Sequence, residues 1–229
     1  MTATRVLTGA GSGIGNVLAR QLRDRGDRLV LLLRDAERIE DLSHEFPDAL
    51  LVEADLARPA SLAGLSRVVP DRVDSLVHVA GLVELAAIAE LDEGSWRRQL
   101  DVNLLAPALV TRELLPALRA AGGTVVFVNS TAALSPGARW AAYAAAKAGL
   151  RALADSLRAE EHPHGVRVST VFPGRTATAM QEDVHEQEGR AYDPGRWIAP
   201  ETVATAIVQV LDLPADATVP EVVLRPGRG

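Results

Sequence analysis

The chain has no cysteine, and only 3% of its 229 residues are aromatic. Without cysteine there is neither a disulfide framework nor a thiolate metal site. No apolar run approaches the roughly 20 residues that span a bilayer, because Arg34 and Asp35 close the longest candidate, Leu29 to Leu33. The opening "MTATRVLTGAG" lacks an apolar signal region and runs straight into a strand pattern, so a cytoplasmic protein without a membrane partner is expected. Basic charge is not in excess either: the formal net charge is −6, which argues against a nucleic-acid surface. His162 and His164 flank Pro163 in a loop, while His44 and His185 stand alone, so no metal site is expected.

What the sequence has in quantity is hydrophobic residues, 48% of the chain, enough for one domain around a sizeable core. Apolar, β-branched runs recur at Arg5–Thr8, Arg28–Leu33, Ala49–Glu53, Val73–Val79, Thr124–Asn129, Val166–Phe172 and Val219–Leu224. Continuous apolar runs of this length read as strands buried on both faces. Helical periodicity fills Ile14–Arg25, Ala60–Val68, Gly94–Ala121, Ala138–Glu160 and Pro200–Leu211, with Pro107 and Pro116 expected to kink or divide the third. Alternating strands and helices predict a single α/β domain with a doubly wound parallel sheet of about seven strands flanked by helices. Ligands in such sheets bind beyond the C-terminal strand ends. The least regular stretch, Ala177 to Arg196, is polar and ends in Asp193-Pro194-Gly195, and is expected to form a lid.

After the first strand comes "TGAGSGIG", Thr8 to Gly15. The common dinucleotide fingerprint with glycines at the first, third and sixth positions is absent in that literal form. Its physical ingredients are present: glycines where a strand turns sharply into a helix, leaving backbone N–H groups open to a pyrophosphate. An acid at the end of the second strand, about 20 residues on, accepts from a ribose hydroxyl, whereas an arginine accommodates a 2′-phosphate. Leu33 holds the acidic position and Arg34 follows, so NADP(H) is expected in preference to NAD(H), with Asp35 as the competing feature. In "AAYAAAKAGL", Tyr143 and Lys147 stand four positions apart in an alanine-rich helix, on one face.

These stretches, with Asp55-Leu56 after the third strand, Ala80-Gly81 after the fourth, Asn103 in "DVN", Ser130 after the fifth and "PGRTAT" from Pro173, resemble the short-chain dehydrogenase/reductase family in order and spacing over nearly the whole chain. The resemblance implies a Rossmann-type fold and hydride exchange between a nicotinamide and a carbonyl or alcohol, with a small-molecule substrate. It implies that Tyr143 is the acid/base, that Lys147 lowers its pKa and reaches the nicotinamide ribose, that Ser130 fixes the substrate oxygen, and that Asn103 holds a relay water. Along the cofactor it implies Gly9, Ser12, Gly13, Ile14 and Gly15 at the phosphates, Asp55 and Leu56 at the adenine, Ala80 and Gly81 beside them, and Gly174 and Thr176 near the carboxamide. It also implies a homodimer or homotetramer through the helices containing Asn103 to Ala121 and Tyr143 to Glu160.

Two departures stand out. "HVAG", His78 to Gly81, replaces the family's common Asn-Asn-Ala-Gly, and Asn129 stands where a second hydroxyl often precedes the serine, leaving Thr131 as a competitor to Ser130. Two other readings compete with the enzyme. A non-catalytic NADP(H)-binding regulator would not need the set Asn103, Ser130, Tyr143 and Lys147 together, and an epimerase or dehydratase would be expected to carry a longer region after Gly174.

Overall fold

The computed structural model describes residues 2–227. Strands β1 (Thr4–Thr8), β2 (Arg28–Leu33), β3 (Leu50–Glu53), β4 (Ser75–His78), β5 (Thr124–Val128), β6 (Arg167–Pro173) and β7 (Glu221–Leu224) pair in one parallel sheet. Their order is β3-β2-β1-β4-β5-β6-β7. Helices α1 (Gly13–Asp24), α2 (Ala36–Ser43), α3 (Glu93–Leu100), α4 (Ala106–Ala121), α5 (Ala141–Glu161), α6 (Ala179–Gln187) and α7 (Pro200–Leu211) lie between or after them. The result is a Rossmann-like single domain.

Adjacent residues of a strand point to opposite faces, and here both faces are covered. Val6, Val30, Leu76, Val125 and Phe127 pack with Val110, Leu114 and Leu118 of α4 and Leu150 and Ala154 of α5. Their strand neighbours Leu7, Leu31, Val77, Val126 and Val171 pack with Leu18 and Leu22 of α1 and Val203 and Ile207 of α7. Two buried faces explain why the strands read as continuous apolar runs. Chain order reverses between β1 and β4, which opens a crevice above their C-terminal ends.

Three expected elements differ. The helix expected over Ala60–Val68 is two single turns, Pro59–Leu62 and Leu65–Arg67; Gly64 between them takes φ 89°, a left-handed conformation that breaks the repeat. The long helix expected over Gly94–Ala121 is divided not at a proline but by a wider π turn, Asp101–Leu105, between α3 and α4. Pro107 stands directly after the π turn, in the first turn of α4, and has no N–H to bond back into it. The polar stretch 177–196 is not irregular throughout: it contains α6, capped by Thr178, whose side chain accepts from the Gln181 amide. Helix α2, too short and polar to show in the periodicity, is capped by Asp35.

Candidate active site

The crevice holds a cavity of about 490 Å³. Its floor is the turn between β1 and α1. Gly9 takes φ +74°, and a Cβ there would lie 2.6 Å from the Ala80 amide nitrogen; a Cβ at Gly15 would lie 2.0 Å from the Gly9 carbonyl oxygen. Side chains are therefore excluded by backbone on both sides of the turn. Ser12, at the N-cap, makes no side-chain cap hydrogen bond, so the α1 N-terminus keeps its unpaired amides and its partial positive charge toward the cavity. Gly9, Ser12, Gly13, Ile14 and Gly15 all line it. The Thr8 hydroxyl accepts from the Val79 and Ala80 amides at 3.1 and 3.2 Å and so fixes the crossing of β1 and β4.

Arg34, Asp55 and Leu56 lie at the ends of β2 and β3, outside the cavity walls. The Arg34 side chain is 68% exposed and its Nε donates to Asp35 Oδ2 at 2.7 Å. Asp35 Oδ1 accepts from the Arg38 amide at 3.0 Å, so this carboxylate is held twice, as a helix cap and as an ion-pair partner. The Arg34 hydrogen bond and the Arg38 amide both hold its pKa below the ordinary carboxylate value. Arg38 was not anticipated. Its Cδ is 4.0 Å from where a Gly11 Cβ would be, which lays its stem beside the glycine turn; only knowledge of α2 would have revealed it, because it follows Arg34 by one helical turn. Asp55 closes a local turn by accepting from the Ala57 amide at 3.0 Å.

The chemistry-bearing side chains meet on the opposite wall. Tyr143 and Lys147, on α5, are 7% and 3% exposed, and the Lys147 Nζ lies 5.8 Å from the phenol ring centroid. Burial pushes the Tyr143 phenol up, and the Ser130 hydroxyl beside it pulls it partly back. Ser130 and Thr131 both line the cavity. Lys147 donates from Nζ to the Val128 carbonyl at 3.0 Å, and burial pushes its ammonium down to about 8. In the protein alone, then, burial rather than Lys147 governs the phenol.

Asn129 turns out to be a bridge. Its Nδ2 donates to the Lys147 carbonyl at 3.0 Å while its Oδ1 accepts from the Ser130 amide at 2.8 Å, tying the end of β5 to α5. Asn103, fully buried in the π turn, uses both ends of its amide on Leu82: Nδ2 donates to the Leu82 carbonyl at 2.9 Å and Oδ1 accepts from its amide at 3.1 Å. The side chain thereby fixes the loop after β4. Gly81 lies between these groups, since a Cβ there would be 2.9 Å from Asn103 Oδ1 and 3.6 Å from Lys147 Nζ. His78 points away, with Nε2 2.9 Å from the Thr111 hydroxyl and its ring stacked on Phe127 at 4.9 Å. Burial, and secondly the Lys147 charge, push its pKa down to about 3, so it is a neutral imidazole filling the amide's place.

The third wall follows β6. Gly174 donates its amide to the Leu224 carbonyl at 2.8 Å, and the Thr176 hydroxyl donates to the Gly174 carbonyl at 3.0 Å. Thr176 also pairs with Ile198 as an isolated parallel bridge, which closes the base of the segment carrying α6. His185 of α6 packs against Tyr192 and Trp197 at 5.2 and 5.3 Å. Arg175 Nη2 donates to Glu188 Oε1 at 2.6 Å. Among the described residues no group of three or more His, Asp and Glu side chains could hold a metal ion, and no helix is long and apolar enough to cross a membrane.

Comparison with known proteins agrees with this geometry. The family model described as short chain dehydrogenase matches residues 3–189. A cis-4-hydroxycyclohexanecarboxylate dehydrogenase of Sinomonas cyclohexanicum is 35% identical over 215 residues, covering 88% of this chain and 86% of its own length. An uncharacterized oxidoreductase of Staphylococcus epidermidis is 29% identical over 226 residues, covering 96% of each. An alcohol dehydrogenase of the archaeon Thermococcus sibiricus, solved with 5-hydroxy-NADP, superposes with a TM-score of 0.87 at 26% identity, covering 99% of this chain and 97% of that one. The chain belongs to the short-chain dehydrogenase/reductase family of oxidoreductases. Members of this family bind a nicotinamide cofactor.

Proposed function

We propose that the protein interconverts a carbonyl and an alcohol by NADP(H)-dependent hydride transfer, with Tyr143 as the acid/base. One observation carries the reading: Ser130, Tyr143 and Lys147 converge on one wall of the cavity whose floor is the glycine-rich turn. The floor fits a pyrophosphate, because Gly9 and Gly15 let the turn fold tightly against backbone and the α1 N-terminus, its Ser12 cap unused, faces the cavity. A nicotinamide cofactor held along that floor supplies or accepts the hydride. Gly174 and Thr176 would border its nicotinamide end, and Asp55 and Leu56 its adenine end.

Tyr143 gives its phenolic proton to the substrate oxygen in reduction and takes it back in oxidation. Ser130 hydrogen-bonds the same oxygen and holds it at the phenol. A phenol raised by burial is a poor base near neutrality, so the protonated Lys147 ammonium is needed to favour the phenolate. Asn103 supports this arrangement by fixing the Leu82 loop against Gly81. For the cofactor, exposed Arg34, with Arg38 in the first turn of α2, offers guanidinium groups to a 2′-phosphate, while Asp35, the acid next to Arg34, is already paired and capping. A homodimer or homotetramer through α4 and α5 accompanies this reading, supported by Leu105 standing 44% exposed just before α4; light scattering gives the mass directly.

The decisive experiment follows NADPH consumption against a panel of aldehydes, ketones and keto esters. Tyr143→Phe should lower turnover by at least about a hundredfold with NADPH affinity kept. Equal turnover by the variant would remove Tyr143 from its role. Arg34→Ala should narrow the preference for NADPH over NADH, and an unchanged ratio would count against the arginine.

A further inference from the structure

The cavity's substrate end is walled by Val83, Ser135, Trp140, Met180, Gln181 and Val184, which are apolar or neutral. Among the described residues, the only charged side chains lining any part of the cavity are Lys147 and Arg175. Lys147 is held at the reacting centre by the Val128 carbonyl. Arg175 is turned elsewhere. Its Nη2 meets Glu188 Oε1 at 2.6 Å, its guanidinium carbon stands 5.5 Å from the Trp197 ring centroid, and its Nη1 is buried without a partner. Neither Glu188 nor Trp197 lines the cavity. The guanidinium therefore faces the underside of the lid, with its charge matched there by a carboxylate. The other polar groups lining this end, such as Ser135 and Gln181, are neutral.

We propose that the cavity selects substrates whose body beyond the reacting carbon is uncharged, and that Glu188 enforces this by holding the Arg175 guanidinium out of the cavity. The inference rests on the carbonyl/alcohol reading above and names its substrate class. A carboxylate entering this end would lose its water and gain no cation, which is strongly unfavourable, whereas a neutral group of the same size loses far less. Specificity by such an unpaired charge is a matter of what the site withholds.

The test compares 4-oxocyclohexanecarboxamide with 4-oxocyclohexanecarboxylate, equal in size and different in charge, as substrates of the whole protein with NADPH. The amide should exceed the acid in kcat/KM by about a hundredfold or more; an acid turned over as well as the amide overturns the proposal. Glu188→Gln frees Arg175 and should raise the acid-to-amide ratio about tenfold; an unchanged ratio in a folded variant removes Glu188 from its role. Should that variant fail to fold, Met180→Arg places a guanidinium on the same wall from a 39% exposed position. It should raise the ratio likewise, and no rise would show that charge is not what the cavity selects. If neither ketone is reduced, cyclohexanecarboxamide and cyclohexanecarboxylate are titrated into the NADP-loaded protein with tryptophan fluorescence as readout. Selective binding of the amide then keeps the proposal while these ketones are removed as substrates of the carbonyl/alcohol reading, and equal or tighter binding of the carboxylate overturns the proposal itself.

Discussion

The floor of the cavity and its lid are held by different means. The floor is backbone against backbone: Gly9 and Gly15 stand where an added carbon would meet the Ala80 amide and the Gly9 carbonyl. The α6 segment is held by side chains, the Arg175–Glu188 pair among them, with Tyr192 and Trp197 packed against His185 of α6 and its stems joined at Thr176 and Ile198. A backbone contact cannot be retuned without moving a strand or a helix. Side-chain contacts can be exchanged one at a time, so the floor is suited to an invariant ligand and the lid to a varying one.

The comparison breaks most visibly on glycine. Gly15→Ala and Gly9→Ala should each destabilise the fold by about 3 kcal/mol or more, because strain and overlap with backbone add; urea unfolding measures this, and an effect near zero would mean that the floor can yield. Next comes His78, at the edge of the floor. With its folded pKa near 3 and its ordinary value 6.5, the unfolded chain takes up the proton first as pH falls, so stability is lost between those values. Between pH 6.5 and 5 this amounts to about 2 kcal/mol. His78→Asn should remove that part of the decline, which unfolding curves at the two pH values would detect. The smallest effect is expected on the lid: Gly189 also has positive φ, +66°, but nothing within 4 Å of an added Cβ. Gly189→Ala should therefore cost only about 1 kcal/mol, the conformational part alone. Should it match Gly9→Ala in the same urea experiment, crowding would not be what distinguishes floor from lid.

The same division decides what could be read from the chain. The seven strands, α1, α5 and α7 announce themselves through apolar runs and helical spacing, and the glycines of the floor through a local steric demand. Tyr143 and Lys147 are one helical turn apart, so their meeting needed only the helix. The π turn at Asn103 was not legible, because it exists to bring an amide to Leu82, a partner remote in sequence. The cap on Asp35, which competes with Arg34 for the reading of the cofactor, could not be read without α2, which begins on it. Asn129 looked like a missing hydroxyl, although its amide reaches across to the Lys147 carbonyl. The Arg175–Glu188 pair joins the two ends of a polar segment in which neither residue has any local signature.

Lys147 has a consequence for the whole molecule. Its ammonium carries three donors and the protein gives it one acceptor, the Val128 carbonyl. Lys147→Met should therefore make the unliganded fold more stable, and that gain should shrink in any state that supplies the ammonium with further oxygen partners. Instability at that atom and affinity at that atom are one quantity seen from two sides, so the melting temperature of the protein reports on its ligand as directly as a binding curve would.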